Sequence, residues 1–545
     1  MSLSPILSTS PQPANQSTAG IRPSRDVVLE NAANEIVVAV VGHVGSGTSD
    51  VAQALRELLE STSLPGGAYQ AEILKARREI EEWATANGET LANVAPDDLS
   101  STERLQDLGD LMRERSRDGS AVARALVRRI RATRAEKTGI TLQDDTPVKP
   151  DGKRRAYILD AIRNPAEVYL LRHVYQDAFC LIGVVCEENV RLLRLTTKYK
   201  NAGKTDAEAF MKRDARANSK LGQRVSDAFH LADFFIDNTA SRTLDDGSAN
   251  SDWDVSDHLS RLVKIINHSE IVRPSTEETA MHHAYSASLR STCLSRQVGA
   301  ALLDSKGNIV ATGSNEVPRA GGGVYGESFD TDHNDHSDDH RCAYRKLGGQ
   351  SPFCSSTKEQ TTLVEKLITE IPELNALNGM RKNALVQEIR QGGVGDLLEF
   401  SRAVHAEMDA LISAAREGIT TVGTRLFVTT FPCHYCARHI VSAGVDEVQF
   451  IEPYPKSRAT DLHADSIQLR VKDWKPPSQG GKRVLFRPFV GVAPRMYRRA
   501  FVKDRELKDP VHGHFVMGQP DWGTAWHLRA ASYSELETRL AREGE

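Results

Sequence analysis

No stretch of this 545-residue chain is long and apolar enough to cross a membrane. The longest apolar run, Ala178 to Cys186, falls far short of the ~20 residues a spanning helix needs. The opening MSLSPILSTSPQPANQSTAGIRPSR has no basic start followed by an apolar block, so residues 1–30 read as a polar, disordered tail and not a secretion signal. Cysteine is scarce and odd in number, seven in all. That count argues against a disulfide framework and makes a reducing cytoplasm the simplest setting, where a closely spaced Cys pair is better read as metal-binding or catalytic. Aromatics are only 6%, and 69 basic residues against 73 acidic ones leave a net charge of −4. Nothing in that balance pulls the whole chain toward nucleic acid or a membrane surface, and a polynucleotide channel lined with stacking aromatics is disfavoured. There is no internal repeat.

What is present is patterned as α/β. At this length two to four domains are expected. Glu35–Val41 (EIVVAVV) is a β-branched run suited to a central parallel strand, and Ala156–Asp160, Ala178–Cys186 and Ala232–Ile236 are further strand candidates between charged amphipathic helices. Residues 31–240 therefore read as a doubly wound unit. A Ser/Asp/Gly-rich stretch follows, and 241–275 is expected to be a linker. From Thr276 a helix to about Arg296 leads into strands at Val298–Asp304 and Asn308–Gly313 around the turn Ser305–Lys306–Gly307. A polar insertion (319–398) interrupts the pattern. It resumes as helix 406–417, strand 425–430, helix 433–443 and strand 445–452, with Gly444 at a helix C-cap. This second unit is taken as 276–500, with a C-terminal extension over 501–545.

The chemistry concentrates in His405-Ala406-Glu407 and Pro432-Cys433-His434-Tyr435-Cys436. Three protein ligands, His405, Cys433 and Cys436, leave the fourth tetrahedral position of a Zn2+ ion open for water, as hydrolysis requires. Cys433 and Cys436 are i, i+3, on one face of a helix whose N-terminus favours thiolate. His405 and Glu407, two apart, converge only if His405 sits just outside regular helix geometry. Glu407 is then the proton carrier: H-x-E with P-C-x-x-C is the signature of zinc deaminases. The competing reading is a closed structural zinc site with His434 or His439 as fourth ligand. In the insertion, His333, His336, His340 and Cys342 lie among aspartates, and are either a second metal site or a solvated acidic loop.

Near the N-terminus, Gly42-His43-Val44-Gly45-Ser46-Gly47-Thr48-Ser49 follows a strand with the spacing G-x-x-x-x-G-K-[ST], except that Thr48 stands in place of lysine. Backbone N–H groups there could cradle phosphates and Ser49 could touch Mg2+. The cation that steadies phosphates in transfer is missing, so the expectation is nucleotide binding without phosphoryl transfer, or a ligand-free turn. The basic-rich 104–137 region reads as a solvated helix face.

Residues from about Thr276 to Ile451 resemble the cytidine/deoxycytidylate deaminase superfamily. Leu289–Cys293 and Val298–Ala300 are similar to its first helix and strand, and Gly313-Ser314-Asn315-Glu316-Val317-Pro318 to its G-x-N-x-x-P turn. That resemblance implies a three-layer α/β/α fold and makes Asn315 a substrate-binding residue, unless it merely shapes the turn; Cys293 is expected in the core. Segments around Leu105–Asp110, Ile158–Pro165 and Ala232–Asn238 resemble small nucleotide and dephospho-coenzyme A kinases, with Asp160 at a strand end and Arg213 and Arg216 where lid arginines fall. A degenerate kinase-like P-loop unit fused to such a deaminase resembles the anti-phage dCTP deaminase family. The resemblance implies free deoxycytidine nucleotides as substrates, depletion of cytosine deoxynucleotides during infection, a small inhibitory RNA partner in some systems, and a homo-oligomer. Lys456 and Arg458, after the last deaminase-like strand, are either candidates for holding substrate phosphates or part of a solvated loop.

Overall fold

The computed structural model describes residues 33–518, together with 23, 24 and 26, and leaves out 62–63, 65–66, 92–96, 143–147, 218, 220, 245, 327–340, 345–350, 392–393, 395–396, 398–399, 455–456 and 504. Two six-stranded sheets organise it. The first contains β1 (Glu35–Val41), β2 (Gln70–Lys75), β3 (Arg155–Ile162), β4 (Phe179–Val185) and β5 (Phe234–Asp237), ordered β2-β3-β1-β4-β5. All these neighbours pair in parallel. Every residue of β1 and of β4 is buried, which is why both read as unbroken apolar runs: helices cover both faces, and no alternation is needed. β2 is the strand its sequence concealed. Its exposed ends and the charged Glu72 and Lys75 suit an edge position.

The second sheet holds β6 (Gly299–Leu303), β7 (Ile309–Ser314), β8 (Arg425–Thr430), β9 (Glu447–Glu452), β10 (Ile467–Gln468) and β11 (Val484–Pro488), ordered β7-β6-β8-β9-β11-β10. It is mixed: β6 runs antiparallel to β7 and β8, while β8, β9, β11 and β10 are parallel.

The chain does not stay on the second sheet. Two residues past β11, strand β12 (Gly491–Val492) pairs antiparallel with β5 of the first sheet. Five labelled helices matter below: α1 (Thr48–Leu59), α2 (Val255–Asn267), α3 (Thr276–Ser288), α4 (Ser355–Glu370) and α5 (Gly379–Gln391). Three more are α6 (Ala406–Arg416), α7 (His434–Ser442) and α8 (Pro494–Phe501). Helix α2 lies inside the stretch read as a linker. Its Val255, Leu259, Leu262, Val263 and Ile266 recur at helical spacing and are buried against the first sheet, together with Val492 and Met496. Residues 491–501 thus belong to a core that the chain begins at β1.

The two sheets also share one apolar cluster, in which Val37, Leu181 and Phe235 are continuous with Ala280, Ala284, Leu303 and Phe427. Glu278, 1% exposed, fastens the junction. Its carboxylate accepts from both terminal nitrogens of Arg261 on α2 (2.6 and 2.7 Å), from Ser275 N at the start of α3, and from Val492 N on β12. Four donors satisfy a buried charge that would otherwise be costly.

Candidate metal and catalytic centre

Two helix N-termini face each other at the edge of the second sheet. His405 is the N-cap of α6, in extended conformation (φ −76°, ψ 154°), so Glu407 can follow in the first turn on the same side. Cys433 is the N-cap of α7, also extended, and its sulfur accepts from Cys436 N at 3.4 Å. Helix α6 can lie this close because residue 313 is glycine. A Cβ there would meet Ala406 O at 2.0 Å and Ala410 N at 2.4 Å, and Ser314 N donates to Asp409 Oδ2 (3.0 Å) across the same seam.

His405 Nδ1 stands 3.3 Å from Cys433 Sγ and 3.3 Å from Cys436 Sγ. Ligand atoms on a tetrahedral zinc, with bonds of about 2.1 and 2.3 Å, sit roughly 3.5 Å apart, so the three donors fit that ion in number, type and separation. They form the one group of metal-competent side chains that close together among the described residues. Neither His434 nor His439 joins it, and His439 Nδ1 is engaged with Tyr435 O at 2.6 Å; among the described residues the group offers three ligands, the number of an open site.

The electrostatics suit the same reading. Hydrogen bonds from Cys436 and His405 hold the Cys433 thiol down at about 4 against the effect of burial. Cys436, sharing that proton and buried, is pushed up. The Cys433 thiolate in turn raises His405 to about 9. Burial pushes the Glu407 carboxyl up to about 7, with His405 opposing and Cys433 adding to the rise. A cation set among these groups would displace the shared protons from the sulfurs.

The centre opens into a cavity of about 470 Å³, within the range of small-molecule sites. His405, Glu407, Cys433 and Asn315 line it. The Asn315 side chain accepts from Val298 N and donates to Arg296 O, both at 2.7 Å, which leaves its amide one further donor and a lone pair. Cys293, expected in the core, is half-buried and lines the cavity instead. The reason is a set of bonds between segments distant in sequence: Ser291 Oγ donates to Asn315 O, and Thr292 N and Oγ1 both donate to Glu316 Oε2. These bonds end α3 at Ser288 and turn 291–298 into a loop over the site.

Of the insertion residues singled out in sequence, His333, His336 and His340 lie outside the described residues. Cys342 is described: it lines the cavity, 3.8 Å from Ser355 Oγ, and joins no metal group. Lys456 is outside the described residues too. Arg458 is exposed beside Asp461 (3.8 Å) and does not line the cavity. What sequence reading missed are the cavity's arginines, Arg296, Arg390 and Arg402; two of them lie in or just after the insertion, where no motif marks them.

The Gly42–Ser49 segment sits apart, on the first sheet between β1 and α1. Gly47 (φ 77°) is the left-handed residue capping α1, where a Cβ would meet Asn238 Nδ2 at 2.4 Å. Ser49 Oγ donates to Asp160 Oδ2 at 2.7 Å. Val44 N donates to the buried Asp214 at 2.9 Å. The expected lid arginines are engaged with carboxylates: Arg213 with Asp107, Arg216 with Asp227.

Two thiols and an imidazole beside a buried carboxyl, on an open cavity over a mixed α/β sheet, form a centre suited to a metal ion. Comparison with known proteins agrees: residues 274–452 match the family model of the cytidine and deoxycytidylate deaminase zinc-binding region, and this part of the chain is a cytidine/deoxycytidylate deaminase domain. The chain is 28% identical over 187 residues to the deoxycytidylate deaminase of Enterobacteria phage T4, covering 33% of this chain and 79% of that protein. It is 32% identical over 138 residues to a UPF0200 protein of Halobacterium salinarum, 25% of this chain and 70% of that protein, and so belongs to the UPF0200 proteins as well. A solved dCMP deaminase from cyanophage S-TIM5 aligns at 18% identity over 40% of this chain and 99% of that one, with a TM-score of 0.20.

Proposed function

We propose that the chain hydrolytically deaminates free deoxycytidine nucleotides, turning dCTP or dCMP and water into dUTP or dUMP and ammonia. The observation that carries this is the buried Glu407, raised by burial to about 7, beside three converged metal donors on an open cavity. His405, Cys433 and Cys436 would hold zinc, which supplies Lewis-acid activation of water when bound. Glu407 takes a proton from the attacking water and delivers it to the ring nitrogen, then takes the remaining proton from the hydroxyl on the attacked carbon and passes it to the departing amine. A carboxyl titrating near neutral pH is suited to both directions of transfer. Asn315, with its spare amide donor, is placed to hold the nucleoside.

The experiment is ammonia release by zinc-loaded protein from dCTP, dCMP, cytidine and a cytosine-containing oligonucleotide, with Glu407→Ala alongside. Turnover of the deoxynucleotides, reduced by about 10³-fold or more in the variant, is expected. Faster turnover of the oligonucleotide, or undiminished activity in the variant, overturns the proposal.

We read the Gly42–Ser49 segment as a degenerate phosphate loop in an N-terminal nucleotide-binding unit. The Ser49–Asp160 pair favours this, since a hydroxyl and a carboxylate at a strand end suit a magnesium-bound nucleotide. Thr48 in the lysine position argues for sensing without phosphoryl transfer. In a cell, the deaminase activity would drain cytosine deoxynucleotides, and anti-phage defence is the setting this fits. Reduced phage plating that depends on Glu407 is the expected result.

A further inference from the structure

We infer that the insertion supplies a polyanion subsite at the mouth of the catalytic cavity, with Arg390 as its centre, and that this subsite takes the 5′-phosphates of the nucleotide. The inference rests on the reading of the site as a nucleotide deaminase and assigns the residues that select phosphorylated substrates.

The cavity wall has two sources. The deaminase sheet and its helices contribute Asn315, His405, Glu407 and Cys433; the insertion contributes the start of α4 and Arg390 at the end of α5, and Ser401 and Arg402 follow just after it. The chemistry of the two sources differs. Among the described residues the only carboxylate in the wall is Glu407, whereas three arginines line it. Arg296 already has an anion, Glu452 at 2.9 Å, and lies over the Tyr454 ring.

Arg390 is the exception. Its Nε is buried and has no hydrogen-bond partner among the described residues, and it forms no ion pair with any of them. A guanidinium cannot shed its proton, so a buried, unsatisfied N–H on it calls for an anionic acceptor. The planar fork fits phosphate oxygens two at a time. Helix α4, 16 residues long, begins on the same wall with Ser355, Ser356 and Thr357 and has no acidic residue in its first turn. Its N-terminal field adds to the attraction for an anion without creating it. A base held at Glu407 with its phosphates on the insertion places one ligand across both walls. Free nucleosides would lack half of that grip.

The test uses zinc-loaded full-length protein, wild type, Arg390→Ala and Arg390→Lys, with kcat and KM measured for dCTP, dCMP and deoxycytidine. Binding of dUTP and deoxyuridine to the same three proteins is followed by calorimetry. Expected is a KM for dCTP raised at least about tenfold in Arg390→Ala, with kcat and all deoxycytidine parameters unchanged and partial recovery in Arg390→Lys. The dUTP affinity should fall by the same factor while deoxyuridine binding does not change. Unaltered dUTP affinity in Arg390→Ala, or equal losses for dUTP and deoxyuridine, overturns the inference. Should no substrate be deaminated, the proposed activity fails while the dUTP arm still decides on the subsite. If Arg390→Ala does not fold, Arg390→Lys alone decides, because lysine keeps the charge and loses the fork.

Discussion

At the scale of single residues, the site depends on who shares protons with whom. Cys433 is the ligand held as thiolate, by hydrogen bonds from Cys436 and His405, and it also caps α7. Serine in its place keeps a side-chain cap on the helix but removes the thiolate donor. Cys433→Ser should therefore purify with one zinc fewer per chain than wild type, as counted by mass spectrometry of the metal; an unchanged count would mean the ion sits elsewhere. His43 offers a different check, away from the metal. Burial, with Arg191 and Arg163 beside it, depresses its imidazole to about 3; the ring packs on Phe229 and its Nε2 pairs with Ser226 Oγ (2.9 Å). The folded value lies below the ordinary one near 6.5, so the unfolded chain takes up the proton first. The stability is complete above that value and is lost as pH falls toward 3. His43 keeps part of its surface in water, which discounts the effect. Between pH 7 and 5, wild type should lose about 1 kcal/mol relative to His43→Gln in urea unfolding. Parallel losses in the two proteins would contradict it.

At the scale of elements, the catalytic residues are placed by a close approach of β7 to α6. Gly313 allows the approach, because any Cβ would strike the backbone of Ala406 and Ala410. Backbone on both sides cannot yield as a side-chain end can. Gly313→Ala should cost about 3 kcal/mol and displace His405 and Glu407 with the helix that carries them. Differential scanning calorimetry and zinc content of the same sample test both parts; a variant of wild-type stability would show the seam to be looser than its geometry. The elements also show where pattern was legible. Glu35–Val41 and Arg425–Thr430 were bounded to the residue, since buried parallel strands and glycine- or proline-flanked runs announce themselves. The end of α3 was not. Its helical pattern runs on toward Arg296, but bonds from Ser291 and Thr292 to residues 315 and 316 stop it at Ser288, and no local signal encodes a partner 24 residues away.

At the scale of the whole molecule, the two sheets are one mechanical unit. A common apolar cluster joins them, β12 crosses back to pair with β5, and Glu278 collects donors from α2, the start of α3 and β12. Glu278→Ala leaves Arg261 without its anion and the Val492 N–H without an acceptor. A loss of about 3 kcal/mol is expected. Unfolding followed by far-ultraviolet circular dichroism and by zinc release should coincide in wild type and separate in the variant. Coincident curves in the variant would show that the apolar cluster alone couples the halves.

The sequence by itself singled out His405, Cys433 and Cys436 as candidate metal donors and Glu407 as candidate proton carrier, because H-x-E and P-C-x-x-C are local spacings whose chemistry depends on helix starts that the same residues specify. It also determined the two α/β patterns, through buried strands that read as apolar runs. Only the tertiary structure decided that 255–267 and 491–501 complete the first sheet's core, that Cys293 faces the cavity, and that Arg390 reaches the catalytic wall. Those facts depend on contacts between residues tens to hundreds of positions apart. Burial and charge compensation settle such contacts across the whole chain, and no short window of sequence contains both partners.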